Sequence, residues 1–126
     1  MLPPPPASLT GAPRAFYEEL QATLDAVQPA DVDRAAIETD FGDAGVAVTL
    51  PHVREADWTL TVQCSRRAAV VFAGPTATHF DERDPGWTSA AVAFMARLLR
   101  GEEELRLTAG RGRPPEALRI DFGARG

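Results

Sequence analysis

The chain has no lysine and no asparagine, one cysteine and two isoleucines. Each shortage excludes something. With Cys64 alone, no intramolecular disulfide can form, which fits a reducing compartment. All thirteen basic residues are arginine, and they are outnumbered by eighteen acids for a formal net charge of -5. That balance argues against nucleic acid or an anionic membrane as partner, because both repel an acidic protein at long range. No stretch approaches the length of apolar sequence a membrane span needs. Met1 to Thr10 has neither the basic start nor the continuous apolar centre of a secretory signal. The expectation is a cytoplasmic protein. Lys, Asn and Ile have AT-rich codons, so their scarcity reads as a GC-rich, bacterial genome. Each arginine is correspondingly weaker evidence of function.

What is present is ordinary for a folded domain. The chain has 126 residues, of which 44% are hydrophobic and 25% charged. One hydrophobic core fits that length without a disulfide or a structural metal. Residues 1–12, with Pro3 to Pro6 in a row, read as a disordered proline-rich leader. Residues 13–126 read as a single α+β domain.

Pro13 to Gln28 predicts a first helix, with Phe16, Leu20, Leu24 and Val27 on one face and Pro29 as its stop. Strand candidates follow. Ala35 to Phe41 alternates through Ile37 and Thr39, and Gly42-Asp43-Ala44-Gly45 turns it into Val46 to Leu50. Asp57 to Cys64 sets Trp58, Leu60, Val62 and Cys64 against Thr59, Thr61 and Gln63. Arg67 to Ala73 is apolar on both faces, which predicts a central strand buried on both sides. Thr76 to Phe80 makes one more short strand. Asp84 as N-cap with Pro85 opens a second helix, striped by Trp87, Ala91, Phe94 and Leu98 and closed by Gly101. Leu105 and Leu107, then Leu118, Ile120 and Phe122, mark two last half-buried strands. Short links between strands favour antiparallel pairing. The fold expected is α+β: a mainly antiparallel sheet with two helices packed on one face, in the order helix, four or five strands, helix, two strands.

Chemistry-bearing residues are few. In Thr78-His79-Phe80-Asp81 an extended backbone points His79 and Asp81 to the same side. A carboxylate beside an imidazole can fix its tautomer and raise its basicity. Glu82 and Asp84 add negative charge nearby. These four residues are the expected binding region. His79 as acid-base group with Asp81 as its orienter, in a pocket between sheet and helices, is the enzymatic alternative. The bland alternative is a polar loop that prepares a helix start. His52 follows Pro51 with no partner in its own loop. Two histidines and one cysteine fall short of a structural zinc site, and no metal or cofactor is expected. Cys64 alternates inward and reads as a small hydrophobe; Arg66 and Arg67 nearby keep a nucleophile reading open. Ser89 sits on a helix without a nucleophile elbow and has no catalytic role. Gly110-Arg111-Gly112-Arg113-Pro114 is similar to an AT-hook core, but the acids around it favour a plain hairpin loop. Trp58 and Trp87 could line a pocket between sheet and helix, but at core periodicity they read as core. The uncharged row Thr59, Thr61 and Gln63 is a wetted face or an interface, which leaves a homodimer open.

From Val70-Val71-Phe72-Ala73-Gly74 through Thr78-His79-Phe80-Asp81 into the second helix, the chain resembles small bacterial immunity proteins of polymorphic toxin systems. The likeness spans about a third of the sequence. It implies a small, acidic α+β protein that binds and neutralises a toxin domain without catalysing a reaction. The acidic balance suits steering toward a basic partner.

Overall fold

In a computed structural model, which describes residues 1–107 and 116–124, the chain is an α+β domain with the expected element order. Helix α1 (Gly11–Val27) is followed by five strands: β1 (Glu38–Gly42), β2 (Gly45–Leu50), β3 (Leu60–Ser65), β4 (Ala68–Ala73) and β5 (Thr76–Asp81). Helix α2 (Trp87–Leu99) and a separate hairpin, β6 (Glu104–Leu107) and β7 (Glu116–Arg119), complete the chain. The five strands form one antiparallel meander in the order β1-β2-β3-β4-β5. The Arg111-Gly112-Arg113 loop lies outside the described residues.

Period-two alternation decides which face is covered. Val46, Val48 and Leu50 of β2, Leu60, Val62 and Cys64 of β3, and Ala69, Val71 and Ala73 of β4 are all buried. They meet Phe16, Leu20 and Leu24 of α1 and Met95, Leu98 and Leu99 of α2 in one core. Helix α1 lies over β2 and β3, and α2 over β4 and β5. Both helices therefore cover the same face.

Helix ends follow the local chemistry. Gly101 adopts φ 69° just past α2. Its N–H donates to the Leu98 carbonyl and that of Glu102 to the Arg97 carbonyl, the two bonds of a Schellman closure. At the other end the expected start at Asp84–Pro85 is not used. The Asp84 N–H instead closes a turn onto the Asp81 carbonyl, and Gly86, at φ 72°, is the N-cap.

Four further expectations are corrected. The leader is not a loose tail, since Leu2 and Leu9 are buried in the core. Arg14, Tyr17 and Gln21, one stripe of α1, donate to carbonyls of Leu2, Pro3, Pro6 and Leu9. Proline-rich backbone offers unpaired carbonyls, and this stripe supplies the donors. Second, Ala35 and Ile37 do not belong to β1, because Arg34–Ala36 forms a 3-10 turn before it. Third, Trp58 and Thr59 lie outside β3. Ala56–Trp58 is another 3-10 turn, on whose Ala56 carbonyl the Thr59 hydroxyl donates. Fourth, β4 has the interior place expected, between β3 and β5, but its second apolar row is not buried; Val70 and Phe72 lie on the uncovered face, Phe72 being 38% exposed. At the chain's far end β7 stops at Arg119, yet Ile120 and Phe122 are fully buried without being in a strand.

His52 ties that far end down. Its ring is 6% exposed. Nδ1 accepts from the N–H groups of Arg54 at 3.1 Å and Glu55 at 3.2 Å. The remaining proton is thereby placed on Nε2, which donates to the Asp121 carbonyl at 2.9 Å. Trp58 and Phe122 pack against the ring at centroid distances of 5.1 and 4.9 Å. Asp31 reinforces the junction with a two-pronged pair to Arg54 at 3.1 and 2.9 Å and a backbone bond to Phe122. Replacing His52 by Ala strands two donors and a carbonyl, at a cost of about 2–4 kcal/mol. Urea unfolding of His52→Ala is expected to show that loss, whereas Val53→Ala, at an exposed neighbour, stays within about 0.5 kcal/mol of wild type.

Candidate functional site

The uncovered face of the sheet is the site. Its outward positions are Glu38 and Asp40 on β1, Ala47 and Thr49 on β2, and Thr61 and Gln63 on β3. Val70 and Phe72 follow on β4, then Ala77, His79 and Asp81 on β5. The register sets them in cross-strand rows. One row runs Glu38, Thr49, Thr61, Phe72, Ala77; the next runs Asp40, Ala47, Gln63, Val70, His79. In a chain with 25% charged residues, the three middle strands carry no charge on this face. The charges sit on the two edge strands.

The face has relief. Over β2 the short side chains Ala47 and Thr49 leave a groove of about 640 Å³, walled by Glu38 and Asp40 on one side and Thr61 and Gln63 on the other. Over β4 the pair Val70, half-buried, and Phe72, exposed, makes an apolar ridge between Thr61 and Gln63 on β3 and Ala77 and His79 on β5. Phe72 also walls a second groove of about 640 Å³, lined with it by Trp58, Thr59, Thr61, Gly74 and Pro75. Trp58, expected in the core, is half-buried at this rim.

His79 and Asp81 do share a side, as alternation requires. His79 is exposed, opposite Val70 on the outer face. This is the face away from the helices, so His79 does not line a pocket between sheet and helices. Among the described residues no hydrogen bond joins it to Asp81. Both carboxylate oxygens of Asp81 are taken by the Arg83 guanidinium at 2.7–3.2 Å, and the Arg83 N–H adds a further bond at 3.0 Å. These bonds pull the Asp81 carboxyl down to about 2. Arg83, which the sequence reading passed over, thus replaces His79 as the partner of Asp81. Its position two residues on in a turn is the signal that could have found it.

Glu82 and Asp84 are exposed in the turn from β5 to α2. The Glu82 N–H donates to the Arg67 carbonyl of the β3–β4 turn, and Arg83 lies between the two acids in sequence, so Arg67 and Arg83 border them. The expected acidic patch is accordingly a mixed one. Cys64 is buried, and burial pushes its thiol up to about 12, which removes the nucleophile reading. The Ser89 hydroxyl donates to Glu19 at 2.8 Å and links the two helices. Among the described residues no group of three His, Cys, Asp or Glu side chains is placed to hold a metal. Among the described residues no helix is long and apolar enough to cross a membrane.

No family model, no curated protein and no solved structure matches this chain.

Because its folded value is depressed, Asp81 stays ionised until the pH falls through about 2, and any stability it lends persists above the ordinary carboxylate range. An NMR carboxyl titration is expected to place Asp81 near 2 in wild type and back near ordinary carboxylates in Arg83→Ala. An unchanged Asp81 in that variant would remove Arg83 as the cause.

Proposed function

We propose that this is a non-enzymatic module that acts by docking a protein on the uncovered face of its sheet. One observation carries the reading. The face is uncharged across its centre, has an apolar ridge at Val70 and Phe72, and is bordered by charge on both edge strands. That is the layout of a protein interface, whose core is depleted of charge and whose rim is polar. His79 and Asp81 belong to this surface, and Glu82 and Asp84 to its margin.

The resemblance to immunity proteins supplies a candidate partner, a toxin domain with a basic surface. Glu38 and Asp40 on one margin and Glu82 and Asp84 on the other would meet it. A single buried cysteine suits a reducing interior, and we place the protein in the cytoplasm on that ground.

The test is a tagged pull-down from lysate of the source organism, read by mass spectrometry. Wild type is expected to capture one stoichiometric protein, and Phe72→Glu to lose it. Glu82→Gln/Asp84→Asn is expected to weaken capture and flatten its dependence on salt. Equal capture by wild type and Phe72→Glu would contradict the proposal, since Phe72 stands in the middle of the ridge.

A further inference from the structure

We infer that in the free protein this face is occupied by a second copy of the same chain, packed face to face about a two-fold axis that runs along β3, and that a docked partner displaces it. The inference rests on the reading of the face as a docking surface and names what docks there. The argument is self-complementarity. A two-fold axis along β3 keeps each cross-strand row at its height and exchanges the two sides of the sheet. It lays β4 of one copy over β2 of the other, and β1 over β5.

The rows then match in size and in charge. The Phe72 ridge meets Thr49 and the Val70 ridge meets Ala47, so the apolar ridge enters the groove over β2. Asp40 meets His79, a carboxylate against an imidazole N–H donor. On the axis Thr61 faces its own copy, and so does Gln63. An amide is its own complement, because it both donates and accepts. An axis perpendicular to the strands would instead lay β1 on β1 and β4 on β4. That would set acid against acid and ridge against ridge.

Two such sheets make a sandwich with its inner faces about 10 Å apart. Four strand spacings of about 4.8 Å make each face about 19 Å wide, which puts the contact at the small end of specific interfaces. The dimer is therefore to be measured across a range of concentrations.

Sedimentation equilibrium on the full chain is the test. Wild type is expected to shift from one chain toward a mass of two as concentration rises. Phe72→Glu and Gln63→Arg, the second of which faces its own copy across the axis, should each raise the dimer dissociation constant at least about tenfold. Circular dichroism confirms that both variants fold. Asp40→His and His79→Asp should each weaken the dimer, and the double exchange should restore it, because only this axis pairs the two positions. A wild type that stays at one chain throughout overturns the dimer, as does a double exchange that restores nothing. A monomer whose lysate partner is lost on Phe72→Glu overturns the dimer while leaving the docking face standing. A monomer that captures nothing, or captures equally without Phe72, overturns both.

Discussion

A five-stranded antiparallel sheet has two faces, and the two α-helices among the described residues are what can cover them. Both helices go to the same side, α1 over β2 and β3 and α2 over β4 and β5. Everything else in the structure depends on that division. On the covered side the inward rows of β2, β3 and β4 are apolar without exception and fully packed. Hydrophobic burial there, at roughly 25 cal/mol per Å² of apolar area, is the main force holding the domain. On the other side the same sheet geometry presents side chains at fixed heights and spacings with nothing above them. The functional reading follows from that surplus of ordered, uncovered surface.

The periphery is held by polar chemistry rather than by further core. The proline-rich start is drawn onto α1 because its carbonyls find donors on Arg14, Tyr17 and Gln21. The far end is drawn in because His52 offers an acceptor to two backbone N–H groups and a donor to Asp121. A neutral imidazole is the side chain that can do both at once. These ties close the helical side of the domain; Trp58, which packs on the His52 ring and lines the groove beside Phe72, is where they touch the open face. The core and the proposed docking surface lie on opposite sides of one sheet, so surface substitutions such as Phe72→Glu probe the second with little effect on the first.

Much of this was legible in the residues. Alternation located the inward rows of β2 and β3, and Gly101 marked the end of α2. The Thr61 and Gln63 row was readable as an uncharged face. The structure departs from sequence patterning where the deciding contact is distant or external. His52 meets Asp121, 69 residues away, which no local spacing reveals. Leu2 and Leu9 looked incidental among prolines until the core closed over them. The most instructive case is β4. Apolar residues on both faces of a strand signal burial on both sides, and sequence cannot say whether the second cover comes from the same chain. Val70 is half-buried and Phe72 exposed on the face away from the helices, so the second apolar row is left without the cover its pattern signals. His79 and Asp81 show the opposite limit. Period two put them on one side, but it could not show that Arg83 would take the carboxylate.

The most direct measurement is hydroxyl-radical footprinting of Phe72, with Val53 as internal reference. These are the two large hydrophobic side chains exposed among the described residues, and Val53 lies off the sheet face. The account predicts that Phe72 becomes protected when the protein is concentrated or held with its partner, while Val53 stays equally reactive. Phe72 and Val53 reacting alike under every condition would contradict the claim that the open face is where this protein works.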